Sequence, residues 1–314
     1  MSKIFETLNK SGGEIADAIR PLTDGGHEAA PAAGPQAAEA PIALTAQVLN
    51  GLAVSADPSP AQIRTLSLRI PAPSPLLPFE NDQWRASEQY RVLRTRIVQH
   101  PKQPRLIVIS SASPGDGKSV SAINLAATLS LKSQARVLLM DADFRKSAIH
   151  VQLGLPEAPG LAELLGGACS LEEALVNTRE LPNLCVMCAG TAPMNPVELL
   201  DSPAWPALCA KLRGMFRFVV VDSPPVAAVA DFDLIQAACD GVILVVRPDH
   251  TARPLLGKSL ELVAKAKFLG VLLNCVPEWA FAKSSSADYY CYSKGRYSKD
   301  GGHRKGDSPA PEAR

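Results

Sequence analysis

Lys118 and Ser119 close the run LIVISSASPGDGKS, residues 106–119. The chemistry this spacing supports is the binding of a polyphosphate with a divalent cation. Leu106, Ile107, Val108 and Ile109 fit a short buried strand, and Ile123, Leu125, Ala126 and Leu129 recur at helical spacing after Ser119. A glycine-containing loop between such a strand and helix turns backbone N–H groups toward phosphate oxygens, at the positive end of the helix. The residues placed around the phosphates are Ser113, Pro114, Gly115, Asp116, Gly117, Lys118, Ser119 and Val120. Lys118 reaches the β/γ-phosphates and the Ser119 hydroxyl ligates Mg²⁺. The match to G-x-x-x-x-G-K-[ST] is imperfect, because Ala112 stands at the first glycine position.

Three carboxylates accompany this loop. Val137–Met140 ends in Asp141-Ala142-Asp143, followed by Phe144 and Arg145, and Phe218–Val221 ends in Asp222-Ser223-Pro224-Pro225. Asp141 and Asp143, at i and i+2 on a strand end, can point the same way. Asp222 is a Walker-B-like acid, placed near a cation through water. Any one aspartate can equally be a helix cap or turn residue. Three that end apolar strands beside a phosphate loop point to phosphoryl chemistry, in which one aspartate orients or accepts the acceptor proton. Arg145 can hold a phosphate or form an ion pair.

The elements that must position these groups follow from the apolar pattern. Strands are expected over 106–110, 136–140, 184–188, 217–221, 241–246 and 270–275. Helices are expected over 118–131, 146–152, 160–166, 170–176, 196–213, 228–238 and 252–268, after a first helix carrying Tyr90, Leu93 and Ile97 on one stripe. This alternation predicts an α/β fold with a mostly parallel sheet and helices on both faces. Ligands then sit at the carboxyl ends of the strands, where the motifs fall. Residues 1–20 could form a short amphipathic helix, read first as a frayed terminal segment and second as a docking element for a partner or membrane surface. The Pro/Ala-rich segment 21–80, whose only Lys or Arg residues are Arg64 and Arg69, predicts a disordered linker. The catalytic domain is expected over 84–279 and a flexible tail over 280–314.

Composition narrows the function classes. Net charge is +1 and aromatic content 5%, so no nucleic-acid surface is expected. No apolar run reaches the length of a transmembrane helix, and the amino-terminal stretch lacks a signal-peptide core. The seven cysteines are odd in number. The lone C-x-x-C of Cys185 and Cys188 lies in a strand-like stretch, where the two face opposite sides. The chain has five tyrosines, and four of them, Tyr289, Tyr290, Tyr292 and Tyr297, cluster in the polar tail. With a nucleotide site present, a self-substrate is the better reading of that cluster than a sticky linker.

In this order the motifs resemble those of bacterial tyrosine kinases, the CpsD/CapB-like autokinases of capsule and exopolysaccharide synthesis. Ala112–Ser119 resembles their Walker A, Leu138–Arg145 their hydrophobic-D-x-D-x-R motif, and Val219–Pro224 their Walker B. Glu88-x-x-Arg91-x-x-Arg94 resembles the E-x-x-R-x-x-R oligomerisation motif, and Asn195–Leu200 the N-P-x-E-L-L segment. The resemblance implies a P-loop NTPase fold of MinD/ParA type, with ATP and Mg²⁺ as cofactors. It assigns Lys118 to phosphate, Ser119, Asp143 and Asp222 to the metal, and Asp141 as base for the tyrosine hydroxyl. It implies phosphorylation of the tyrosine tail in trans within a ring of identical subunits. It also implies a separate Wzz-type membrane activator that holds the chain at the inner face of the cytoplasmic membrane, and a cognate tyrosine phosphatase. Two other readings stand beside it. One is a MinD/ParA-type positioning ATPase, a class that usually carries an extra early lysine absent from Ser111-Ala112-Ser113. The other is a scaffold that binds nucleotide without transfer.

Overall fold

The computed structural model describes residues 3–4, 63–72, 74–76, 84–131, 136–228 and 230–276. The chain divides into Met1–Cys275 and Val276–Arg314. The tail with its four tyrosines lies outside the described residues.

Within the first unit, nine strands form one sheet among the described residues: β1 (Lys3–Ile4), β2 (Arg64–Leu66), β3 (Leu106–Ser111), β4 (Val137–Asp141), β5 (Val176–Thr178), β6 (Leu184–Met187), β7 (Phe218–Asp222), β8 (Gly241–Val246) and β9 (Phe268–Leu273). Their order is β1-β9-β8-β3-β7-β4-β6-β5-β2. The six from β9 to β6 run parallel. The edges break the pattern, with β1 antiparallel to β9, β5 antiparallel to β6, and β2 parallel to β5. Every residue of β3, β4, β7 and β8 is buried. A sheet covered on both faces requires such continuous apolar runs.

The helices are α1 (Trp84–Val98), α2 (Lys118–Ser130), α3 (Ile149–Leu153), α4 (Leu161–Leu165), α5 (Leu171–Ala174), α6 (Pro196–Asp201), α7 (Ala204–Met215), α8 (Asp231–Ala237) and α9 (Arg253–Leu262). Strand side chains alternate between two cores. Leu106, Val108, Leu138, Met140, Val219 and Val221 face one core, with Trp205, Leu208 and Leu212 of α7. Ile107, Ile109, Leu139 and Val220 face the other, with Ile123, Leu125 and Leu129 of α2 and Tyr90, Leu93 and Ile97 of α1. Cys185 joins the first core and Cys188 the second, as strand alternation predicts.

Several expectations are corrected. Lys3–Ile4 is an edge strand, not part of a helix over 1–20, because its backbone pairs with Leu273 and Leu272. The rest of 1–20 lies outside the described residues. The linker expectation over 21–80 fails at residues 63–76 where described. There Ile63 and Leu76 are buried, β2 pairs with β5, and Arg69 N–H donates to Leu153 O at 2.9 Å. Pro75 O accepts from the Asn124 side chain of α2 at 3.2 Å. Average composition over sixty residues hides a short strap that buries a few well-spaced apolar side chains. The helix expected over 170–176 stops at Ala174, and Val176 opens β5. The helix expected over 196–213 breaks at Ser202, which adopts an extended backbone because Pro203 follows it.

Candidate active site

β3, β4 and β7 lie side by side in the sheet, and their carboxyl ends carry the expected groups. The β4–β7 ladder sets Asp141 directly opposite Asp222. The loop after β3 enters α2 through Gly117, whose φ of 92° is a left-handed conformation that glycine adopts without cost. Lys118 opens α2 and extends its ammonium over the two strand ends. Lys118 Nζ is 2.7 Å from Asp143 Oδ2, 3.8 Å from Asp222 Oδ1 and 3.3 Å from Ser119 Oγ. Lys118, Ser119, Asp141, Asp143 and Asp222 are therefore brought together.

The three aspartates are engaged differently. Asp141 accepts from the backbone N–H of Asp143 at 3.1 Å through Oδ1, and from those of Ala148 and Ile149 at 3.1 and 3.2 Å through Oδ2. Asp143 also accepts from Lys146 N–H at 3.0 Å. Asp222 is fully buried, and neither of its oxygens meets a donor in hydrogen-bonding geometry, although the nearby Ser119 hydroxyl favours its charged form. Burial pushes the Asp222 carboxyl up to about 7; the Lys118 charge opposes this, and those of Asp141 and Asp143 reinforce it. Burial likewise raises Asp141 to about 6 against its three backbone hydrogen bonds. At Lys118 burial works to lower the pKa, but Asp222, Asp143 and Asp141 together hold it above the ordinary lysine value of 10.5.

The remaining expected residues are placed as follows. Asp116 turns into the protein: its carboxylate accepts from Ser113 N–H at 2.8 Å and from Thr251 Oγ1 at 2.7 Å. Arg145 makes a two-point ion pair with buried Asp231 at 2.9 and 3.0 Å, so the ion-pair alternative is the one realised. On α1, Glu88 and Arg91 pair with each other at 3.0 Å on the surface, while Arg94 donates to Thr128 O of α2 at 3.3 Å.

Three contacts are not legible in the sequence. His250 Nε2 bonds Pro114 O at 3.0 Å, Thr251 bonds Asp116, and Asn274 Nδ2 donates to Asp116 O at 2.9 Å. These residues follow the carboxyl ends of β8 and β9, which is the one signal that points to them.

No family model matches the chain. It is similar to the tyrosine-protein kinase YwqD of Bacillus subtilis (strain 168), with 36% identity over 192 residues that span 60% of this chain and 80% of YwqD. With the tyrosine-protein kinase CpsD of Streptococcus agalactiae the identity is 32% over 213 residues, 67% of this chain and 91% of CpsD.

The chain belongs to the bacterial tyrosine-protein kinases.

Solved structures agree with this placement of the kinase. The crystal structure of the chimerical protein CapA2B2 superposes with a TM-score of 0.61 at 34% identity, covering 65% of this chain and 90% of that one. The BceF tyrosine kinase domain gives 0.56 at 34% identity, covering 61% and 78%. The kinase thus has the P-loop NTPase fold expected from its motifs. Among its described residues no helix is long and apolar enough to cross a membrane.

Proposed function

We propose that this kinase transfers the γ-phosphoryl group of ATP to the tyrosines of its own tail, Tyr289, Tyr290, Tyr292 and Tyr297, acting in trans within a ring of identical subunits. The observation that carries the proposal is the convergence of Lys118 and three carboxylates at the carboxyl ends of two neighbouring strands, with Asp222 buried beside Ser119 and lacking a hydrogen-bond donor. A buried carboxylate without a donor fits a cation neighbour. The cation expected here is a Mg²⁺ that arrives with phosphate ligands. Ser119, Asp143 and Asp222 would hold it. When bound, Mg²⁺ supplies positive charge against the β- and γ-phosphate oxygens.

The chain's own groups do the rest. Lys118 exchanges its carboxylate partners for phosphate oxygens. The tyrosine oxygen bonds to the γ-phosphorus as the bond to the β-phosphate oxygen breaks. Asp141 takes the tyrosine proton, and a carboxyl near 6 is tuned for that transfer close to neutral pH. The ring would form through Glu88, Arg91 and Arg94. A separate membrane activator of Wzz type would hold the kinase at the inner face of the cytoplasmic membrane, and a tyrosine phosphatase would reverse the modification. The output would be control of capsule or exopolysaccharide polymerisation and export.

The test mixes two full-length chains with ATP and Mg²⁺, with and without the activator's cytoplasmic segment. One carries Lys118→Met and an intact tail, and the other is active with its four tail tyrosines changed to Phe. Phosphate on the tail of the Lys118→Met chain is the expected result. A mixture in which that tail stays unlabelled, while wild type labels itself, overturns transfer between subunits.

A further inference from the structure

A phosphate cradle works only if its peptide N–H groups face inward and its carbonyls face away. In this chain the carbonyls are gripped from outside. His250 Nε2 bonds Pro114 O at 3.0 Å; the carbonyl can only accept, so this nitrogen carries the hydrogen. Asn274 Nδ2 donates to Asp116 O at 2.9 Å. In a trans peptide the C=O of one residue and the N–H of the next point in opposite directions. Fixing the Pro114 carbonyl therefore aims the Gly115 N–H the other way, and fixing the Asp116 carbonyl does the same for the Gly117 N–H. Both glycines adopt left-handed backbones, φ 86° and 92°. Both also lie against their grips: a Cβ on Gly117 would fall 2.0 Å from Asn274 Nδ2, and one on Gly115 3.2 Å from His250 Nε2.

Thr251 adds a third grip. Its hydroxyl accepts from Arg247 N–H at 3.0 Å and donates to Asp116 Oδ1 at 2.7 Å. Asp116 Oδ2 in turn takes the Ser113 N–H at 2.8 Å. A carboxylate inside a phosphate-binding loop would repel its ligand, but here it is fully buried and tied back to the end of β8.

We propose that His250, Thr251 and Asn274 are positioning residues that set the phosphate cradle of the kinase through Pro114 and Asp116. The inference rests on the nucleotide reading of the site. It assigns the loops after β8 and β9 a part in phosphate affinity that requires no contact with phosphate.

The experiment measures displacement of a fluorescent ADP by ADP and by tripolyphosphate, with Mg²⁺, on the full-length protein. The variants are His250→Leu, Thr251→Val and Asn274→Ala, with His250→Gln and Thr251→Ser as versions that keep a donor. Melting temperatures are recorded alongside. Each donor-deleting variant should bind both competitors about tenfold more weakly, as expected for one lost hydrogen bond. The donor-keeping variants should return to within about twofold of wild type. KM for ATP should rise while kcat holds. The inference is overturned if ADP weakens but tripolyphosphate does not, which would place these residues on the base. It is also overturned if affinity is unchanged in Thr251→Val, which removes the hydroxyl donor with little change of side-chain shape. Wild-type protein that binds neither competitor would overturn the nucleotide reading itself.

Discussion

Asp141 and Asp222 face each other across the β4–β7 ladder, withdrawn from water and within reach of one ammonium. Their carboxyls are raised by burial to about 6 and about 7, from an ordinary 3.8. A carboxyl raised in the folded state contributes stability below its unfolded value and loses it as pH climbs through the folded value. The nucleotide-free kinase should therefore lose stability between about pH 4 and pH 7. One pKa unit corresponds to about 1.4 kcal/mol, so the melting temperature should fall by at least about 3 °C. Asp222→Asn cannot ionise there; its melting temperature should match wild type only below about pH 4 and exceed it by pH 7. Equal pH slopes for the two proteins in scanning calorimetry would refute this origin of the effect. The same two side chains are legible in the sequence, because each ends an unbroken apolar strand. Their environment is not: the exchange of Asp141 with three backbone amides and the bare Asp222 depend on which strands become neighbours.

At the scale of elements, long buried strands declare themselves and short edges do not. β3, β4, β7 and β8 are apolar almost throughout, so their placement follows from the residue pattern alone. β2 and β5 have three residues each, too few to show a period, and neither is expected from the sequence. The Ser202-Pro203 break carries a local signal that the apolar run around it masks. Likewise, His250, Thr251 and Asn274 act on carbonyl and carboxylate groups more than 130 residues distant, which no local pattern records. The strap formed by residues 63–76 where described makes its own demand on the domain. Gly154 has φ 62°, and a Cβ there would sit 2.3 Å from Arg69 O. Gly154→Ala should cost about 1–3 kcal/mol, measured by denaturant melting, from left-handed strain and displacement of the strap. A Cβ on Gly214 would meet nothing within 4 Å, so Gly214→Ala serves as the tolerant control. Equal melting of the two variants would mean the strap is dispensable.

The whole molecule separates two roles that the E-x-x-R-x-x-R spacing alone conflates. Glu88 and Arg91 form an exposed pair, and such pairs contribute about 0–1 kcal/mol. Arg94 instead ties α1 to α2 through Thr128 O. Glu88→Ala and Arg91→Ala should leave the melting temperature almost unchanged while lowering the mass seen by light scattering and the labelling of the tail. Arg94→Ala should lower both stability, by about 1 kcal/mol, and mass. An unchanged mass in all three would remove this helix face from the proposed ring.

The strap also constrains how the kinase comes into being. Leu68 N–H bonds Glu180 Oε2, a contact spanning 112 positions. A nascent chain emerging from the ribosome therefore presents β2 long before β5 exists. This strand must wait until Val176–Thr178 has been made, so the earlier-made strand of this pair closes the sheet late.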